Sequence, residues 1–213
     1  MNRRTAAFVA AGIALVAAAS VRNVLEARSA ERVDYELRDR RDGAEIRRYP
    51  RTVLVETTAP DERTAFNRLF RYIGGANEGN DEIAMTAPVR TDGTSGTEIP
   101  MTAPVRTDRG EDRAGENVTM AFYLPAEYDR EAAPVPTEPQ VRLVVEPPRT
   151  LAVVPFSWYA SAGRIDRATD RLERALAAES LGAVGEPFLL RYDPPLTPPF
   201  LRTNEVAIEV EAP

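Results

Sequence analysis

The pattern of apolar and polar residues predicts a series of β-strands with one face turned toward a core. Val33, Tyr35 and Leu37 alternate with polar residues, and Asp42-Gly43 then supplies the strongest two-residue signal for a hairpin turn into residues 44–49. Further strands are predicted at residues 51–58, 118–124, 141–145, 151–156, 187–192 and 205–210.

A first helix is predicted between the strand at 51–58 and the strands that follow. It begins at Pro60, carries acidic residues in its first turn and ends at Gly74-Gly75. Its apolar face is broad, because two sets of residues recur at helical spacing. These sets are Ala65, Leu69 and Tyr72, or Phe66, Phe70 and Ile73.

A second helix is predicted from about Gly163 to Ser180, with Gly182 beyond its end. Its inner face is formed by Ile165, Ala168, Leu172, Ala175 and Leu176. The elements therefore follow the order strands, helix, strands, and then the same order again. This repetition predicts an α+β fold in which two similar strand–helix–strand halves pack around one core.

A ten-residue motif occurs twice, at residues 83–92 and sixteen residues later at 99–108. The copies differ only at their second position, which is Ala84 in the first and Pro100 in the second. The proline in each copy favours an edge strand, and the spacer between the copies predicts a hairpin. Such a hairpin would place Met85 and Met101 on one surface. A lone Met usually fills a core gap, but packing alone does not demand a repeat of this length.

The doubled Met-Thr-Ala-Pro-Val resembles the SOUL/haem-binding-protein family. Residues 35–38 and 45–49 are similar to the family's opening strands, 66–75 to its first helix, and 191–195 and 197–206 to its closing segment. The likeness covers about Val33 to Val210. It implies a curved, partly closed antiparallel sheet of about eight strands, a distorted barrel, which carries two helices. It also implies non-covalent binding of haem or another tetrapyrrole.

The composition removes several classes of chemistry. The chain contains no His and no Cys, which excludes Ser-His-Asp catalysis, thiolate catalysis and metal or haem sites with His or Cys ligands. Its formal net charge of −6 argues against a nucleic-acid partner. Paired carboxylates fall in linkers, caps and loops, so no catalytic residue is predicted.

The N-terminal segment has the features of a targeting sequence. Arg3-Arg4 precede an uncharged run from Thr5 to Val21, which Arg22 closes. This run is at the lower length limit for a membrane-spanning helix, and it also fits a cleavable signal peptide. We favour a hydrophobic anchor helix and linker at residues 1–28, followed by a SOUL haem-binding domain at 29–213. The protein is then expected to be membrane-anchored, or exported if the segment is cleaved.

Candidate binding residues are chosen by the chemistry of a tetrapyrrole, which is a flat apolar disc with carboxylates on one edge. An apolar or Met-rich groove with Arg at its rim suits such a ligand. The first helix and the doubled motif supply these groups: Arg63, Phe66, Phe70, Arg71, Met85 and Met101. The alternative is that Phe66 and Phe70 belong to the core, since a helix with this much apolar surface must bury some of it.

The resemblance also bears on the haem iron. Where some family members carry a His in the second strand, this chain has Arg48. Axial ligation by His is then lost, and the metal ligand stays unknown. Met85, Met101, Tyr49 or Tyr72 can still ligate iron weakly, or packing alone can hold the porphyrin.

Three functions are consistent with these features. The first is a haem or tetrapyrrole carrier or buffer at a membrane, reached through the N-terminal segment. The second is an enzyme that removes the metal from a bound tetrapyrrole, which needs acid–base groups in the groove. The third is a sensor or interaction module for small apolar ligands. No protein partner is predicted.

Overall fold

The computed structural model describes residues 32–79, 99, 102–109, 117–193 and 197–211. In these ranges the chain forms two α-helices, α1 (Glu62–Ile73) and α2 (Ala162–Glu179). The large sheet contains β1 (Glu36–Arg41), β2 (Ala44–Tyr49), β3 (Thr52–Ala59), β5 (Val105–Arg109), β6 (Val118–Tyr123), β8 (Val141–Glu146), β9 (Arg149–Ser157), β10 (Ala183–Arg191) and β11 (Thr203–Val210). Two short strands, β4 (Asn77–Glu78) and β7 (Val135–Pro136), pair separately, and a 3₁₀ turn spans Pro199–Leu201.

The large curved sheet is antiparallel, in the order β1-β2-β9-β11-β10-β5-β6-β3-β8. The run β5-β6-β3-β8 carries α1, and the run β10-β11-β9-β2 carries α2. Each run with its helix forms one half of the fold, with four strands and one helix. The halves also exchange one strand each. β2 comes just before β3 in the chain but pairs with β9 of the other half. In the same way β8 comes just before β9 but pairs with β3. Short connections at Pro50-Arg51 and Pro147-Pro148 make these crossings.

The predicted closure into a distorted barrel is wrong, whereas the predicted curved antiparallel sheet of about eight strands agrees with the structure. The sheet has nine strands in the described ranges, and its terminal strands β1 and β8 do not pair with each other there. Charged residues dominate β1, and its register shifts between Leu37 and Asp39. Charge and a bulge both oppose further pairing at a sheet edge. Tyr35 and Leu37, expected to face the core, are 44% and 41% exposed.

The two helices cover one face of the sheet, and each buries one apolar stripe. The predicted bounds of both helices agree with the structure to within two residues. In α1 the buried set is Ala65, Leu69 and Tyr72, together with Ile73, against β3 and β6. In α2 it is Ala168, Leu172, Ala175 and Leu176, against β9 and β11. The helix-free face carries a third cluster that joins both halves: Tyr49, Leu54, Ala121, Tyr123, Leu151, Val153, Phe188, Leu190 and Ala207.

The second copy of the doubled motif supplies β5, which lies in the middle of the sheet between β10 and β6. The prediction of an edge strand is wrong for this copy. Pro104 comes just before β5, so all residues of the strand keep a backbone N–H for the ladder. The first copy at 83–92, the predicted hairpin between the copies and the N-terminal segment lie outside the described residues. In the part of the chain that is described, no helix is long and apolar enough to cross a membrane.

Candidate functional site

An aromatic pair lies along one side of α1, reaching from the edge of the core to the surface. Arg63, Phe66 and Phe70 are spaced at three and four residues, so they share one side of the helix. The Phe66 and Phe70 rings stack with centroids 5.8 Å apart and planes inclined by 15°. Phe66 is half-buried and meets the Phe122 ring edge-on at 5.4 Å, whereas Phe70 is 53% exposed. The core alternative therefore holds in part for Phe66 and fails for Phe70. We call Arg63, Phe66 and Phe70 the aromatic face of α1.

Both ends of α1 are held in place, which orients this aromatic face. The Asp61 carboxylate caps the helix by accepting the Thr64 N–H at 2.9 Å and its hydroxyl at 2.7 Å. These bonds hold the pKa of Asp61 below its usual value. Glu62 accepts two bonds from Arg191 of β10, at 2.8 and 2.7 Å. At the other end Gly74 donates to the Phe70 carbonyl at 3.0 Å.

The two candidate arginines differ in their surroundings. Arg63 is exposed on the aromatic face. Arg71 lies next to that face and forms an ion pair with Glu138, with Nε 2.7 Å and Nη2 2.5 Å from Oε1. The Arg71 side chain is 54% exposed, and pairs this accessible are worth no more than about 1 kcal/mol. Arg71 can therefore exchange this partner for the carboxylate of a ligand.

The second copy of the doubled motif begins next to the carboxyl end of α1. Ile99 donates its N–H to the Ile73 carbonyl at 2.7 Å and is buried with the α1 residues. Met85 and Met101, predicted to line the groove with the helix, lie outside the described residues. The structure thus brings four of the six predicted residues together on or beside α1: Arg63, Phe66, Phe70 and Arg71.

A separate cleft of about 280 Å³ lies where both helices begin. It is lined by Glu62, Tyr159, Ala160, Ser161, Arg191, Asp193, Arg202 and Asn204. Its volume is at the lower limit of small-molecule sites, about 300 Å³. Its charged groups bond to one another or to the backbone, as Glu62 does to Arg191 and Asp193 to the Thr203 N–H.

The described ranges offer no evident metal site. No cluster of three or more carboxylates that could hold a metal ion is found among those residues.

Residues 30–209 match the model of the SOUL heme-binding protein family. The chain belongs to this family. No curated protein matches it in sequence.

Solved structures share the fold of this SOUL family member at low sequence identity. A hydrolase from Listeria innocua aligns with a TM-score of 0.56 at 14% identity, covering 81% of this chain and 94% of the hydrolase. An uncharacterized conserved protein from Listeria innocua aligns at 0.57 and 13%, covering 80% and 93%. The EcmrR C-terminal domain aligns at 0.52 and 14%, covering 84% and 99%. At such identities these likenesses establish the fold alone.

Arg48 stands at the position in the second strand where the resemblance places a His in some family members. Arg48 on β2 donates to the Thr150 hydroxyl at 3.3 Å. Tyr49 is 7% exposed, and burial raises the pKa of its hydroxyl to about 12. Tyr72 is 1% exposed and donates to the Pro134 carbonyl at 2.8 Å. Both tyrosine side chains are buried, so neither faces a ligand bound on the outside of the protein.

Two buried ionic clusters on the helix-free face were missed from the sequence. In the first, Arg47 of β2 pairs with Glu205 of β11, and the Tyr192 hydroxyl donates to Glu205 at 2.6 Å. In the second, Glu146 accepts from Arg106 and lies 2.5 Å from Arg149. The sequence contains only a weak sign of these clusters. Charged residues stand at alternate positions of a predicted strand in both, as Glu45 and Arg47 or Arg106 and Asp108 do, and such residues are usually exposed to solvent.

Proposed function

We propose that this protein binds haem or a related tetrapyrrole non-covalently on the aromatic face of α1, without a His ligand. Membership of the SOUL heme-binding protein family supports a tetrapyrrole as the ligand class. The observation that carries the location is Phe70, which is 53% exposed although it stacks on a second aromatic ring. A flat apolar surface of this kind suits the face of a porphyrin.

The charges around the aromatic face suit the other part of the ligand. Arg63 stands on the same side of α1, and Arg71 stands next to it in an exposed pair. Guanidinium groups bind carboxylates through paired, charge-assisted hydrogen bonds. A porphyrin that lies against Phe70 can therefore direct its propionates toward one of these arginines. Because the chain lacks His and Cys, packing and these bonds would supply most of the affinity.

The proposed biological role is a carrier or buffer of the tetrapyrrole at a membrane, attached through residues 1–28. The uncharged run between Arg4 and Arg22 supports this role. Full-length protein should sediment with membranes, and a variant that starts at Ser29 should stay in the supernatant and bind haemin equally well. Equal partitioning of the two proteins would remove the anchor from the proposal.

The binding site is tested by haemin titration of Phe70→Ala, followed by visible absorption. We expect about tenfold weaker binding, which corresponds to about 1.4 kcal/mol. Phe200→Ala is the matched control, because Phe200 is 64% exposed on a different element. Unchanged affinity in Phe70→Ala with weaker binding in Phe200→Ala would move the site away from α1. Release of free porphyrin from the haem complex would favour the enzyme hypothesis over the carrier.

A further inference from the structure

Four large apolar side chains are exposed at one end of the sheet. Trp158 and Tyr159 come directly after β9, and they are 49% and 53% exposed. Phe200 and Leu201 lie in the 3₁₀ turn before β11, and they are 64% and 42% exposed. The last residue of β9 pairs with the first residue of β11, so the two segments are neighbours. We call Trp158, Tyr159, Phe200 and Leu201 the apolar end of the sheet.

The surroundings of Trp158 and Tyr159 hold both residues in place at the surface. Trp158 has a φ angle of 77°, which bulky residues rarely adopt. Its carbonyl accepts a bond from the Asn204 side chain at 2.8 Å, and the Arg164 guanidinium lies 5.7 Å from the centre of its ring. The Arg202 guanidinium lies over the Tyr159 ring at 4.7 Å. Folding gains no core contact from the strained Trp158, because its side chain is exposed, and strain of this kind is typical of functional positions.

Arginines of α2 adjoin the apolar end. Arg164, Arg167 and Arg171 are spaced at three and four residues and therefore share one side of this helix. Arg171 donates to the Pro155 carbonyl at 3.1 Å, so this side is turned toward the end of β9. Acidic residues of the same helix segment lie on a different side, also at spacings of three and four: Asp166, Asp170 and Glu173. The first turn of α2 contains no acidic residue, so the positive end of the helix dipole is not offset there.

We propose that the apolar end of the sheet docks onto a membrane surface that contains anionic phospholipids. Large exposed apolar patches mark contact sites for membranes or proteins. Trp and Tyr are the side chains preferred where lipid headgroups meet hydrocarbon, because one part of each is apolar and another part is polar. Arginines beside such a patch are attracted to the phosphates of anionic lipids.

The distribution of charge orients the protein toward this contact. The formal net charge is −6, so an anionic membrane repels the chain as a whole. The three arginines of α2 offset this repulsion next to the apolar end. The carboxylates of the nearby cleft are already bonded, Glu62 to Arg191 and Asp193 to the Thr203 N–H.

This docking surface goes beyond the proposed function. It includes no residue of the aromatic face of α1 and no residue of the segment 1–28. It holds the folded domain against a membrane whether or not that segment is an anchor, and whether or not α1 binds a tetrapyrrole. The readouts are also separate, since docking is followed at Trp158, anchoring by sedimentation and tetrapyrrole binding by haemin absorption.

Trp158 is the only Trp of the chain, so its fluorescence reports the docking surface directly. Full-length protein without haemin is mixed with vesicles of phosphatidylcholine and phosphatidylglycerol. Docking should move the emission to shorter wavelength, reduce quenching by aqueous acrylamide several-fold and allow quenching by lipids with brominated chains. Emission and acrylamide quenching that do not change with vesicles would overturn the proposal even if the protein sediments with them, because an anchor alone leaves Trp158 in water.

Substitutions that keep the reporter test the apolar contact. The double variant Phe200→Ser with Leu201→Ser should lose most of the protection from acrylamide. Val184→Ser is the matched control, because Val184 is 46% exposed on β10 and lies opposite Glu209. Glu209 is about 20 Å along β11 from the apolar end, at about 3.3 Å per residue. Val184→Ser should behave like the parent protein, and a double variant that also behaves like the parent would contradict docking by this surface.

Arg167→Gln tests the contribution of charge. The ratio of protected to accessible Trp158 should fall about fivefold, which corresponds to about 1 kcal/mol for one arginine near an anionic surface. The control is Arg130→Gln, in an exposed loop bonded to α1, which should leave the ratio unchanged. Equal protection on vesicles of phosphatidylcholine alone would overturn the preference for anionic lipid. Protection that grows with protein concentration in the absence of vesicles would show that a second copy covers the apolar end, and the proposal would fail.

Discussion

Arg47 and Glu205 form a buried, two-bond ion pair between β2 and β11. Arg47 Nη1 and Nη2 are each 2.9 Å from one oxygen of Glu205, and the two side chains are 5% and 7% exposed. Arg47 also stacks on the Tyr35 ring at 4.3 Å and bonds to Glu45. The pair joins the first hairpin to the last strand, so it ties the two ends of the described chain together.

The first prediction concerns this ion pair. Arg47→Met leaves the Glu205 carboxylate buried without its cation and should lower the free energy of unfolding by about 3–5 kcal/mol. Urea unfolding measures the change. The control is Arg142→Met, which breaks the more accessible ion pair with Glu56, in which Arg142 is 73% and Glu56 14% exposed. That variant should lose less than about 1 kcal/mol. Similar losses in both variants would show that burial of the Arg47 pair does not matter.

The second prediction concerns alkaline pH. Burial raises the pKa of Tyr49 to about 12 from 10.0, so the folded protein keeps this proton at pH values where the unfolded chain has lost it. Stability should therefore fall as pH rises from about 10 to about 12, by at most about 2.7 kcal/mol from this residue. Denaturant midpoints at pH 8 and pH 11 measure the loss, and Tyr49→Phe should reduce it. The exposed Tyr159→Phe serves as the control, and equal slopes in the two variants would contradict the prediction.

The third prediction concerns the competition between Glu138 and a ligand for Arg71. If Arg71 binds a propionate, Arg71→Ala should weaken haemin binding about tenfold, the scale of a charged hydrogen bond of ~1.5 kcal/mol. Glu138→Gln frees Arg71 from its 2.5 Å ion pair and should tighten binding by a few-fold. Both Kd values come from absorption titrations, and the melting temperatures should stay close to that of the parent protein.

Opposite shifts in these two variants would assign Arg71 to the ligand. If Arg71→Ala and Glu138→Gln leave the Kd for haemin unchanged and Arg63→Ala weakens binding, then Arg63 binds the propionate. Arg71 would in that case pair only with Glu138.

The fourth prediction separates the two sides of α1. Leu69 is fully buried and Phe70, its neighbour in sequence, is 53% exposed. Leu69→Ala should cost about 2–5 kcal/mol of stability, as truncations in a packed core do. Phe70→Ala should cost less than about 1.5 kcal/mol, since it loses mainly its stacking on Phe66. Urea unfolding of the two variants compares them, and a larger loss for Phe70→Ala would place that side chain in the core.

The local sequence determined the elements whose ends depend on nearby residues. Asp61 and Gly74 bound α1 as predicted, because a capping carboxylate and a helix-ending glycine act within one turn. Asp42 and Gly43 make the predicted hairpin turn with φ angles of 47° and 81°, which a two-residue turn of this type requires. The absence of His and Cys also excluded classes of chemistry before any fold was known.

Only the tertiary structure decided how the strands are arranged. A period of two shows that a strand has two different faces, but it does not identify the neighbouring strand. Three features of the sheet could therefore not be predicted. They are the central place of β5, the exchange of β2 and β8 between the halves, and the open edges of the sheet. The burial of Arg47 depends on Glu205, which is 158 positions away in the chain. Leu69 rather than Phe70 faces the core for the same reason. Packing against β3 and β6 buries Leu69 and leaves Phe70 exposed, although both belong to apolar stripes of the same helix.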